Sequence, residues 1–117
     1  MLAQKPVVAG RVIDNIRQHG TGSLNLGALE ELHGSWPTTT LEHRKARKTD
    51  HNSDHISVKP VALLEDLCLL VCPRGGTILD PFAGTGTTGI AAKKHGFGCV
   101  LIEKQSAMEA IIRQRIF

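Results

Sequence analysis

Residues 76–89 read Gly76-Thr-Ile-Leu-Asp80-Pro-Phe-Ala-Gly84-Thr-Gly86-Thr-Thr-Gly89. Thr77-Ile78-Leu79 has the makings of a short strand, with Gly75-Gly76 turning the chain before it and Asp80-Pro81 closing it. A glycine turn follows at Gly84 and Gly86, and a helix is expected from Thr87 to Lys94. Glycines without Cβ atoms let a backbone come close to a ligand. The helix behind them points free N–H groups at that ligand. The turn therefore suits a small molecule with an anionic end.

Outward from this turn the pattern stays regular. His95-Gly96 stops the helix, and Cys99-Val-Leu-Ile102 is the next strand, ending at Glu103. Ser106 is expected to cap a last helix running through Arg115. Upstream, Pro60 suits a first helical turn, and Val61, Leu63, Leu64, Leu67, Leu70 and Val71 make a mostly buried helix that Pro73 ends. Strand, helix and strand in that order give a parallel βαβ unit with a right-handed crossover. The fold class is α/β, with a sheet too small to be complete.

The chain has 117 residues, which is one domain with a modest core. Its net charge of +3 is compatible with nucleic acid but weak evidence for it. Aromatic residues are Trp36, Phe82, Phe97 and Phe117, too few for a single-strand stacking platform. Three cysteines, Cys68, Cys72 and Cys99, do not make a disulfide framework. A metal site joining them to His95 is disfavoured, because structural zinc prefers tighter knuckles; buried apolar thiols are the better reading. With no leader pattern and no run of membrane-spanning length, a cytoplasmic location is expected.

The first part of the chain is less regular. Val12, Ile13 and Ile16 share a helical face within residues 5–19, after the patch Val7-Val8-Ala9. Residues 20–40, rich in Gly, Ser and Thr, read as an irregular loop in which Trp36 is an anchor on the core. Arg44, Lys45, Arg47 and Lys48 cluster in the polar stretch 41–59, with His43, His51 and His55 nearby. On composition alone this is a solvated loop.

Gly84-x-Gly86-x-x-Gly89 also satisfies the dinucleotide fingerprint, with Glu103 placed for a ribose. Asp80 argues against a nicotinamide cofactor, because a carboxylate repels a pyrophosphate. It suits a partly cationic ligand such as S-adenosylmethionine. Asp80 would face the cationic part, the helix N-terminus with Thr85 and Thr87 the carboxylate, and Glu103 the ribose hydroxyls.

These residues resemble a known family, the DNA amino-methyltransferases that modify adenine N6 or cytosine N4, in the branch whose catalytic motif precedes the cofactor motif. His55-Ile-Ser-Val-Lys59-Pro60 looks like the family's Lys-Pro block beside the methionine end of the cofactor. Asp80-Pro-Phe82-Ala-Gly84-Thr85-Gly86-Thr87 looks like its principal cofactor motif, and Ile102-Glu103 like its ribose-binding acid. Lys5-Pro6 and His19 to Asn25 resemble a stretch found before the Lys-Pro block in some members. The resemblance implies a Rossmann-like methyltransferase fold, with residues 55–117 as the S-adenosylmethionine-binding subdomain. Residues 1–54 would be the remnant of a target-recognition region. It also raises the standing of Arg44, Lys45, Arg47 and Lys48 as DNA-phosphate contacts.

Ile56 stands where the family often has proline, and Met108 where tyrosine is common. The larger departure is that no Asp-Pro-Pro-Tyr sequence occurs in the 117 residues. In the family that block grips the flipped base. The resemblance thus implies a truncated or split enzyme of the restriction-modification kind, inactive alone. DNA, an upstream-encoded catalytic half or a second copy would be its partners, with no metal and no membrane. A nicotinamide-binding module and a non-functional remnant are the competing readings.

Overall fold

The computed structural model describes residues 6, 8, 10–35, 40–47 and 58–117. Lys5, Trp36, Lys48, His51 and His55, all weighed above, lie outside them, as does the expected anchoring of Trp36. The elements are α1 (Val12–His19), α2 (Leu26–His33), α3 (Val61–Val71), β1 (Thr77–Asp80), α4 (Thr87–Lys94), β2 (Gly98–Leu101) and α5 (Ser106–Ile116).

β1 and β2 pair in parallel, Thr77 against Gly98 and Asp80 against Leu101. Alternation along each strand splits its side chains between two faces. Ile78 and Cys99 face the core made by Cys68, Cys72, Ala91, Ala92 and Phe97 of α3, α4 and the turn after α4. Burial pushes the Cys68 thiol up to about 11, with smaller rises at Cys72 and Cys99, so these thiols act as apolar core groups. On the other face Leu79, Val100 and Ile102 are 62%, 50% and 52% exposed. Among the described residues the sheet is thus covered on one side only.

Small residues let the layers close. A Cβ on Gly89 would lie 2.8 Å from Leu101 Cδ1 and would also meet Ile116. The missing side chain is what allows α4 to sit against both β2 and α5. Lys93 Nζ donates to the Ile116 carbonyl and lies 5.9 Å from the Phe117 ring centroid, closing the same corner.

α3 buries two adjacent acids. Glu65 accepts from Lys94 Nζ at 2.8 and 2.9 Å and meets His95 Nε2 at 3.2 Å, at the end of α4. Burial works against the ionised carboxyl, but Lys94 and His95 outweigh it and hold Glu65 below its ordinary value. Asp66, 2% exposed, meets His33 Nε2 at 2.8 Å and His43 Nε2 at 2.9 Å. These pairs fasten α2 and the stretch around residue 43 to α3.

The irregular loop expected over residues 20–40 is corrected by α2. Asn25 accepts the Ala28 N–H at 3.3 Å as N-cap, Gly34 closes the helix at φ 73°, and Leu29 is fully buried. The Asn25 N–H donates to the Leu70 carbonyl, so tertiary contact also holds the helix in place. Three smaller differences concern ends. Pro60 is the N-cap of α3 and not in its first turn; β2 starts at Gly98; and Gln105, not Ser106, is the N-cap of α5, with no side-chain cap.

Candidate functional site

The site begins where β1 ends. Asp80 braces the turn: Oδ1 accepts the Phe82 N–H at 3.0 Å and Oδ2 accepts the Thr88 hydroxyl at 2.6 Å. Its carboxylate thereby ties the strand end to the first turn of α4. Ile102, just past the end of β2, clamps the same turn, its N–H donating to the Asp80 carbonyl at 2.9 Å and its carbonyl accepting from Ala83 at 3.0 Å. The Gly86 N–H closes back on the Ala83 carbonyl at 2.8 Å. Gly84 and Gly86 take φ 52° and 79°, a region that favours glycine. Their roles differ. A Cβ at Gly86 would come within 3.1 Å of Ile112, so that glycine serves packing, whereas a Cβ at Gly84 would meet nothing within 4 Å. Gly84 opens on free space.

The clamp carries Glu103 to the mouth of the turn. Glu103 Oε2 accepts the Gly84 N–H at 2.7 Å and Oε1 accepts the Gln105 N–H at 2.9 Å. Two backbone donors fix the carboxylate's orientation.

Lys59, Asp80, Phe82, Gly84, Thr85 and Thr87 line one small cleft above the N-terminus of α4. The structure thus brings together the sequence-derived candidates on the cofactor side. Pro60 lies just beyond, and Glu103 reaches the cleft through Gly84. Phe82 leaves its ring 85% exposed. Thr85 is buried, and its hydroxyl and carbonyl both accept from Arg115 Nη1, at 2.8 and 2.6 Å. Its hydroxyl is therefore already engaged from the α5 side.

Arg44, Lys45 and Arg47 share a second cleft with His43, Lys59 and Arg115. Lys59 touches both clefts. A larger groove of about 960 Å3 between α4, β2 and α5 shares only Glu103 with the candidate ligand residues. It meets the turn at Glu103, which bonds the Gly84 N–H. Among the described residues no group of three or more His, Cys, Asp or Glu is placed to hold a metal ion.

Sequence reasoning missed Arg115 as a partner of Thr85, because 30 residues separate them and no local pattern joins them. It also missed the partners of Glu65 and Asp66. There the signal existed: two acids inside an apolar helix demand buried counterparts.

A parallel strand–helix–strand unit with an acid bonded to its glycine turn defines a partial Rossmann-like α/β fold. The family follows from comparison. The model of the N6/N4 DNA methylase family matches residues 11–114, and the chain belongs to that family. It is 32% identical over 118 residues to the type II methyltransferase M.HindIII of Haemophilus influenzae, covering 97% of this chain and 38% of that protein. It is 40% identical over 62 residues to the type II methyltransferase M2.DpnII of Streptococcus pneumoniae, covering 53% of this chain and 23% of the relative. Among solved structures, the M1.HpyAVI–SAM complex matches with a TM-score of 0.52 and 30% identity, over 55% of this chain and 33% of that one. The chain spans well under half of each of these proteins.

Proposed function

We propose that this chain is the C-terminal, cofactor-binding portion of a site-specific DNA methyltransferase acting on adenine N6 or cytosine N4, with S-adenosylmethionine as its cofactor. The observation that carries this reading is the pairing of the Gly84 N–H with Glu103 across a turn braced by Asp80, in a chain of this family. The residues fit the group. Open space over Gly84 would admit it, Glu103 beside Gly84 would meet its ribose, and Asp80 and Lys59 flank the cleft where a methionine end would lie. S-adenosylmethionine supplies an activated methyl group. This chain's part is to hold the cofactor so that the methyl meets the target nitrogen, since positioning is a large source of rate.

DNA is the proposed macromolecular partner, through Arg44, Lys45, Arg47 and Lys48. A cytoplasmic site of action and residues 55–117 as the ligand-binding subdomain belong to the same reading. The grip on the flipped base is assigned to polypeptide beyond these 117 residues, because they contain no Asp-Pro-Pro-Tyr sequence. The uncovered Leu79, Val100 and Ile102 offer that polypeptide a face.

Titration calorimetry with S-adenosylhomocysteine and with NAD tests the cofactor assignment. Binding of the first, and weaker or no binding of the second, is expected. Tighter binding of NAD would replace this reading with a nicotinamide-binding module.

A further inference from the structure

We infer that Arg115 is a positioning residue for the cofactor turn, locking the peptide unit between Thr85 and Gly86 against a flip. The consequence for the cofactor rests on the methyltransferase reading; the lock itself does not. α5 meets the turn along one face. Ile112, Arg115 and Ile116 stand three and four residues apart, on the same side of the helix. A Cβ on Gly86 would come within 3.1 Å of Ile112 and 3.3 Å of Ile116. Beside them Arg115 Nη1 donates to the Thr85 carbonyl at 2.6 Å and to its hydroxyl at 2.8 Å. Arg113, by contrast, pairs with Glu109 on the exposed side of α5.

The Thr85–Gly86 peptide unit is thereby held at both polar ends. Its carbonyl accepts from Arg115, and its N–H donates to the Ala83 carbonyl at 2.8 Å. Sterics alone would not hold it. A flip of the unit changes ψ of Thr85 and φ of Gly86, and glycine accepts either sign of φ. Gly86 now stands at φ 79°. A flipped unit would exchange the directions of its carbonyl and N–H and lose both hydrogen bonds. The residues before it are fixed one by one: the Phe82 N–H by Asp80, the Ala83 N–H by Ile102 and the Gly84 N–H by Glu103. Arg115 continues that series. Burial disfavours its charged form, a cost that an apolar residue beside Ile112 and Ile116 would not carry and that the two Thr85 acceptors offset. A turn locked in advance spares the ligand the cost of ordering it. Gly84, Thr85 and Thr87, which line the small cleft, are the residues kept in register.

The test uses the full 117-residue chain with heavy nitrogen at glycine and alanine. Amide hydrogen exchange is followed by NMR without ligand at Gly86 in the turn, Gly98 in the sheet and Ala110 in α5. Calorimetry measures S-adenosylhomocysteine binding. Arg115→Met keeps the stem and loses the donors. It should speed exchange at Gly86 about tenfold or more and leave Gly98 and Ala110 at the parental rate. It should also weaken S-adenosylhomocysteine binding about tenfold, the scale of a lost hydrogen bond to a charged group. Arg115→Lys, which keeps a cationic donor, should recover part of both losses. Unchanged exchange at Gly86 in Arg115→Met overturns the lock. Equal acceleration at all three amides, without recovery in Arg115→Lys, makes Arg115 a packing residue and overturns its positioning role. Faster exchange at Gly86 with S-adenosylhomocysteine bound as before overturns the consequence for the cofactor. If the parent chain binds no S-adenosylhomocysteine, the cofactor reading falls, and the exchange rates still decide the lock.

Discussion

Glu103 braces the glycine turn and, in the proposed function, also meets the ligand. Its carboxylate receives two backbone N–H groups, from Gly84 and Gln105, and so stays fixed before any ligand arrives. Glu103→Ala should therefore weaken S-adenosylhomocysteine binding by about 1–3 kcal/mol, the worth of charge-assisted hydrogen bonds to a ribose. Calorimetry measures it, and an unchanged affinity would remove Glu103 from the site. The turn that gathers Asp80, Gly84 and Glu103 was legible in the sequence because strand, turn and helix follow at short, fixed spacing. The expectation that Thr85 keeps its hydroxyl for the ligand took no account of Arg115. That contact is made by the fold, between the turn and a helix 30 residues further on. Asp80 was read as a ligand contact, yet both its oxygens also brace the turn, a role that depends on where the Phe82 N–H and the Thr88 hydroxyl fall in space.

At the scale of elements, α3 and α4 are joined by apolar packing and by Glu65 with Lys94 and His95. The pH dependence of that junction has a definite sign. Lys94 and His95 hold the folded-state pKa of Glu65 below 4.5, so its stabilisation is fully present above that value and is lost as pH falls through the folded-state value. Glu65→Gln should cost about 1–3 kcal/mol near neutral pH. The gap between variant and parent should close on acidification, as read by urea unfolding at a series of pH values. A constant gap would show that the carboxylate's charge is not what matters. α3, α4, β1 and β2 were legible within a residue or two, because hydrophobic period and glycine or proline punctuation agree there. α2 was not. Leu26, Leu29 and Leu32 lie among Gly, Ser and Thr, and Asn25 was read as part of a loop when it is a cap. Eight residues with so little pattern depend on packing, and packing is what Leu29 and the Asn25–Leu70 hydrogen bond supply.

For the molecule as a whole, the two-stranded sheet with one bare apolar face sets the behaviour expected of the isolated chain. Exposed Leu79, Val100 and Ile102 beside open strand edges favour association. Sedimentation should show concentration-dependent self-association, reduced by Leu79→Thr with Val100→Thr; a monodisperse monomer would mean that the face is protected. Radiolabelled methyl transfer to mixed-sequence DNA by the chain alone should be undetectable, and turnover would place the base-gripping residues within these 117. Another consequence of α3 lies in the direction of its two buried acids. Glu65 looks toward α4 and Asp66 toward α2 and His43, one residue and about 100° apart around the axis. The helix is keyed in rotation like a shaft with two splines. Inserting or deleting one residue upstream of Glu65 in α3 would keep it apolar and helical, yet would turn both carboxylates off their partners at once. Such a change should free α2 and the stretch around His43 from the strand–helix–strand unit while leaving that unit's own turn intact.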